Sequence, residues 1–187
     1  MTEAKRVHEE KRREFLYYAE SWSFPPSDWE EKLTEELKNT TYIQVSIAPE
    51  TTLQNMNVQP NRCHDNVRRF LENKSDMNFK AVTGWLIEGN NYVFHSVLDL
   101  GEQLVCITPS ANGSTSIKFI PDESIKWNGQ VGIRSGQPIG VGVRLNPKFE
   151  IALNEMIINR LLSDIDPYVA IEISSAEKEK LMQEYFQ

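Results

Sequence analysis

The sequence predicts an α+β fold in which a mostly antiparallel sheet is flanked by helices, and three observations carry that prediction. Apolar residues alternate at strand period in the middle of the chain, segments of helical period stand near both ends, and a tight-turn signal joins two of the strands. With 187 residues and 40% hydrophobic content, the chain has the length of one domain with a proper core. The expected layout is a single domain over 1–187. It comprises an N-terminal helical segment at 1–40, an α+β core at 41–145, and C-terminal helices with a short strand at 146–187.

Charge and composition narrow the function classes. Twenty basic residues against 27 acidic ones leave a net charge of −7, which argues against broad contact with phosphate backbones, so no nucleic-acid partner is expected. No apolar run is long enough to span a membrane, and the opening MTEAKRVHEEKRREF lacks the apolar stretch of a signal peptide. No membrane association and a cytoplasmic location are therefore expected. Two cysteines are too few for a disulfide scaffold, so each is either a small core residue or a reactive thiol.

Taken in order, the first segment reads as an amphipathic helix bearing Val7, Phe15, Tyr18 and Trp22. Pro25 and Pro26 break it, and a second helix restarts with Ser27 as cap and Glu30 as its capping partner. TYIQVSIA places Ile43, Val45 and Ile47 on one face of a strand, and the polar run from Pro49 to Asn61 reads as a long loop. Next comes a helix in which Cys63, Val67, Phe70 and Leu71 share a face, with the cysteine in the first turn. A helix N-terminus offers unpaired N–H groups and the positive end of the macrodipole, both of which favour a thiolate. His64, beside it, points away and reads as an exposed or capping residue.

NYVFHSVLDLGEQLVCITP reads as a hairpin. If Leu100 and Gly101 are the central residues of its turn, His95 stands opposite Cys106 and Val97 opposite Leu104. His95 then sits on an apolar face, as a hydrogen-bonded core residue or as a general base for Cys63. Trp85 and Trp127 line a cleft or belong to the core. Further on, Ile117 and Phe119 suggest another strand. The glycines of GQVGIRSGQPIGVGVRLN fit no phosphate-loop pattern, while Ile139, Val141, Val143 and Leu145 alternate, so a glycine-bearing strand is expected and ATP and NAD are discounted. Asn146 and Pro147 open a helix with the apolar stripe Phe149, Leu153, Met156, Ile157 and Leu161. YVAIEI reads as the short strand, and Ser174 with Glu177 opens a last helix whose Leu181, Tyr185 and Phe186 offer a surface for docking on the domain or on a protein partner.

The ordered series Cys63-His64-x-Asn66-Val67, Gly84-Trp85, Phe94-His95-Ser96-Val97, Leu104-Val105-Cys106-Ile107-Thr108-Pro109 and Phe119-Ile120-Pro121-Asp122 resembles a poorly characterised bacterial family. Its members read C-H-x-N-V, G-W, F-H-x-V, L-V-D-x-T-P and F-x-P-D. The order of cysteine at a helix start, histidine on a strand and aspartate on the next resembles in turn the papain-like and transglutaminase-like thiol enzymes. That resemblance implies a papain-like or transglutaminase-like core and a cysteine-dependent hydrolase or acyltransferase acting on an amide or ester of a protein or small molecule, with no cofactor. Cys63 is then the nucleophile and His95 the base, and Gln59 is an added oxyanion donor, as an upstream glutamine is in the papain-like class. Cys106 stands where the family has aspartate, and a thiol orients an imidazole far more weakly than a carboxylate does. Two alternatives stay open beside the Cys63–His95 dyad. One is a catalytically degenerate binding module, an inhibitor or adaptor; the other is a zinc site made from Cys63, His95 and Cys106, with a fourth position open or filled by His64.

Overall fold

The computed structural model describes residues 3–75, 77–110, 112–163 and 165–185. Trp29–Leu145 form one compact unit, and the chain before and after it forms another. One unit boundary coincides with the expected limit of the α+β core at 145. The helical segment expected over 1–40 is divided, because α1 (Glu3–Ser21) lies in the outer unit and α2 (Asp28–Lys38), save its first residue, in the central one.

In the central unit the chain runs through β1 (Ile43–Ile47), α3 (Glu50–Asn55), α4 (Cys63–Asn73), β2 (Lys80–Glu88) and β3 (Asn91–Asp99). It continues through β4 (Leu104–Cys106), β5 (Ser116–Pro121), β6 (Lys126–Asn128), β7 (Val131–Arg134), β8 (Gln137–Pro138) and β9 (Gly142–Arg144). The main sheet has the order β2-β5-β1-β4-β3-β9, and β2 also pairs with β3, so the sheet closes on itself. The expected mostly antiparallel sheet is corrected by this topology: the sheet is a mixed barrel, in which β1 runs parallel to β4. The chain between those two strands, through α3, α4 and the β2–β3 hairpin, supplies the long crossover that parallel pairing needs. Strands β6, β7 and β8 form a separate small antiparallel sheet.

Alternation along β3 decides what each face meets. Val97 joins Val45, Cys106 and Phe119 in one buried cluster, and the His95 ring meets Phe119 edge-on at 6.3 Å. The opposite face carries Leu98 to a cluster with Val67, Phe70 and Leu71 of α4, while Phe94 joins Trp85, Leu33 and Leu37. The amphipathic spacing of α4 thus buries Val67 against β3, and the period of two sends His95 the other way.

Three motif residues hold this frame. At Gly84, opposite His95 on β2, an added Cβ would lie 2.1 Å from the Ile120 carbonyl oxygen and 2.9 Å from the Phe119 ring. Only glycine lets β2 and β5 approach so closely. Gly84→Ala is expected to cost about 3 kcal/mol, the upper range of an overpacking change, read as a lower urea midpoint at unchanged slope. The Trp85 indole, fully buried, donates to Asp122 Oδ2 at 2.9 Å, and Arg134 Nε donates to the same oxygen at 2.7 Å. Burial pushes the Asp122 carboxyl up, but the hydrogen bonds from Ser124, Trp85 and Arg134 outweigh it and hold the group below its ordinary value. Trp85 is therefore core rather than cleft.

Two expectations about connections are revised. The run from Pro49 to Asn61 contains α3, which buries Leu53. In the β3–β4 hairpin the observed pairs are Leu98 with Val105 and Asp99 with Leu104, and Leu100 N–H donates to Gln103 O at 3.0 Å. The turn is therefore centred on Gly101 and Glu102, where Gly101 takes φ +93°. Cys106 accordingly falls level with Val97 rather than His95, but a shift of two residues preserves the face, so His95 and Cys106 remain on the same side. The strand expected over 139–145 is limited to β9, with Ile139 and Val143 in the core.

In the outer unit, α1 packs on α5 (Pro147–Leu162) and α6 (Pro167–Ala170), and α5 packs on α7 (Ser175–Tyr185). Asn146 caps α5 by accepting from Phe149 N–H at 3.1 Å, with Pro147 at the first position. Ser174 and Glu177 form a reciprocal capping box on α7, at 2.9 and 3.3 Å. The strand expected at YVAIEI is instead helical at its start. Asp166 Oδ1 accepts from the N–H groups of Tyr168 and Val169 at 3.0 and 3.4 Å, and Pro167 presets the first turn. Leu181 and Tyr185 are half-buried, and Phe186 lies outside the described residues. No helix among the described residues is long and apolar enough to cross a membrane.

Candidate functional site

The first turn of α4 and the middle of β3 meet at a recess of about 540 Å³. Cys63 and His64 line it from the helix, Thr83 and Ser96 from β2 and β3, and Trp127 from β6. Asn66, one turn further along α4, is buried and holds the chain that leads into the helix. Its Oδ1 accepts from Gln59 N–H at 3.0 Å, and its Nδ2 donates to Gln59 O at 2.7 Å. A weaker bond from the same amide reaches Thr108 Oγ1 at 3.4 Å. The C-H-x-N spacing thus ties the incoming chain and the end of the β4 segment to the helix that carries the cysteine.

Cys63 is buried, and its thiol donates to the Phe94 carbonyl at 3.8 Å. Burial pushes the thiol up to about 11, although backbone N–H groups of Ser96 and His64 aimed at the sulfur pull the other way. Of these donors His64 N–H belongs to the helix start and Ser96 N–H to β3, and desolvation exceeds both.

His95 is directed elsewhere. Its Nε2 lies 3.3 Å from Cys106 Sγ, and both residues are buried. Burial, with a smaller contribution from His64, lowers the imidazole to about 3. Burial likewise raises the Cys106 thiol, whose proton points to Thr108 O at 3.8 Å. Near neutral pH the pair is an uncharged imidazole and an uncharged thiol. Neither His95 nor Cys106 lines the recess, and neither does Gln59, whose side chain is exposed.

The structure therefore brings the expected residues together in two groups, with Cys63 on the recess side of β3 and His95 with Cys106 on the other. Among the described residues no cluster of three or more His, Cys, Asp and Glu side chains is placed to hold a metal ion. The three residues of the zinc alternative are not gathered into such a cluster, since Cys63 lies on the recess side of β3 and His95 with Cys106 on the other.

Sequence reasoning missed His64. Its Nδ1 lies 2.7 Å from Ser96 Oγ, its ring packs on Phe94 with 4.3 Å between centroids, and it meets Trp127 edge-on at 5.1 Å. Burial lowers it to about 4, with Asp65 opposing. The bonds continue from Ser96 Oγ to Thr83 Oγ1 at 3.3 Å, which accepts from Trp127 Nε1 at 3.2 Å. The available signal was the period of β3: if His95 faces inward, Ser96 faces α4. The charged residues lining the recess are Arg62 and Arg68 against Asp65 and Glu72, and both arginines pair with Asp65. No family model, curated protein or solved structure matches this chain.

Proposed function

We propose that the central unit is a binding module on the scaffold of a papain-like or transglutaminase-like thiol enzyme, with the recess beside Cys63 as its ligand site and the catalytic arrangement degenerate. One observation carries this reading: the imidazole of His95 is engaged by the Cys106 thiol at 3.3 Å on the face of β3 away from the recess. A thiol cannot stabilise an imidazolium as a carboxylate does, and burial keeps both groups neutral. The ligand is held without a covalent step.

Iodoacetamide tests this. With Cys63 raised to about 11 from an ordinary value of 9.0, its thiolate fraction at pH 7 is about 100-fold below that of a free thiol. Alkylation of Cys63 is expected to be slower than that of free cysteine by at least this factor, to rise about tenfold per pH unit through pH 10, and to be unchanged in His95→Gln. Rapid alkylation at pH 7 that is lost in His95→Gln would replace this reading with the enzymatic one.

The thiol-enzyme reading keeps one supporting observation, the N–H groups of Ser96 and His64 directed at the sulfur at the edge of an open recess. In that chemistry Cys63 adds to an amide or ester carbonyl as its proton passes to an imidazole. The N–H groups hold the oxyanion, and the departing amine or alcohol takes the proton back. Water then releases the acyl group.

A further inference from the structure

We infer that the hairpin of β6 and β7 is the movable wall of the recess, with Trp127 as the latch that lifts to admit a ligand; this rests on the binding reading above. The recess has three walls, and they are attached unequally. α4 packs closely on β3 and β2, and Val67 joins Leu98 in a buried apolar cluster, so those two walls hold one another. β6 and β7 make their closest contacts with each other and with β8. Among the described residues no strand of this small sheet pairs with the main one.

The hairpin is fixed at its base and exposed toward its tip. Ile125 precedes β6 and Ile139 follows β8, and both lie in the core cluster with Phe94. Arg134, at the base of β7, donates from Nε to Asp122 Oδ2 at 2.7 Å and pairs with Glu36. At Gly132 an added Cβ would lie 2.3 Å from the Phe94 ring, so the strand rests directly on that ring. Toward the tip Lys126, Trp127 and Asn128 are all exposed, and the turn residues Gly129 and Gln130 line the recess beside Trp127.

What holds the tip down is Trp127. Its indole N–H donates to Thr83 Oγ1 at 3.2 Å, and its ring meets Phe94 at 5.4 Å and His64 at 5.1 Å between centroids. One neutral hydrogen bond and two ring contacts favour the closed form by on the order of 100-fold, which a ligand's own contacts can reverse. Cys63 lines the same recess and is 8% exposed, so its sulfur reports the opening.

Two neutral alkylating agents of different size test this on the full chain at pH 8: iodoacetamide and N-phenylmaleimide, each followed at the Cys63 peptide by mass spectrometry and referred to its rate with free cysteine. Ionisation of the thiol enters both rates alike and cancels in their ratio. An opening hairpin slows both by the same factor, to within about threefold, because each reagent reacts with the open form. Trp127→Ala is expected to speed both at least about tenfold, and Trp127→Phe, which keeps a ring and loses the hydrogen bond, by less. A larger reagent slowed more than about tenfold beyond the smaller one marks a fixed opening, and rates unchanged in Trp127→Ala mark a hairpin that covers nothing. Either result overturns the gate and leaves the binding reading standing, since that reading is decided by the iodoacetamide rate at pH 7 and its response to His95→Gln.

Discussion

Glu30→Leu is expected to cost about 3 to 5 kcal/mol of folding stability. Glu30 is 1% exposed and Arg144 0%. One carboxylate oxygen of Glu30 accepts from Arg144 Nε and from the Arg144 backbone N–H, each at 2.9 Å, and the other accepts from Nη2 at 2.8 Å. Thr34 Oγ1 adds a bond to Arg144 O at 3.2 Å. Among the described residues β9 pairs with β3 alone and lies at the end of the strand order, so α2 satisfies backbone groups of an edge strand. Removing the carboxylate leaves a guanidinium in a space where it cannot be hydrated. Chemical unfolding checks the value, and the double variant Glu30→Leu, Arg144→Met is expected to recover most of the loss, because the pair contributes little net stability beyond an apolar replacement. A loss below about 1 kcal/mol in the single variant would mean that water reaches the site.

Stability is also expected to fall by about 4 kcal/mol between pH 7 and pH 5 from two histidines alone. His95 is lowered to about 3 and His64 to about 4, each first by burial. An unfolded histidine titrates near 6.5, so below that pH the unfolded chain binds protons that the folded chain refuses. The contribution is fully present above pH 6.5 and declines as pH falls. It levels off below about 4 for His64 and about 3 for His95. Each group accounts for about 1.4 kcal/mol per pH unit within its window. Urea unfolding at half-unit pH steps measures the slope, and His95→Gln is expected to remove about half of it. An unchanged slope in that variant would show that His95 titrates normally and is reached by solvent.

What could be read from the sequence follows the range of the interactions. Caps are local, so Asn146 and the Ser174–Glu177 box are found where their spacing puts them. Strand faces need only parity, which is why His95 and Cys106 are correctly placed together although the turn lies one residue further on. Glu30 shows the limit. Its position three residues after Ser27 gives no sign that its carboxylate meets Arg144, 114 residues away, through a packing no local spacing encodes. At YVAIEI the alternation of apolar residues competed with the Asp166-Pro167 helix start, and the cap prevailed over three residues of β-rich sequence. Finding that α4 meets the Ser96 side of β3, and so joins Cys63 to His64 and Ser96 rather than to His95, required tertiary contact.

The division of the chain has a consequence for the order of assembly. Helix α1 packs on α5 and α6, yet the whole central unit intervenes in the chain. During synthesis the barrel can close as one continuous stretch before the contacts of α1 with α5 and α6 can form. Slow translation past residue 145 would therefore lengthen the period before α1 meets α5 and α6.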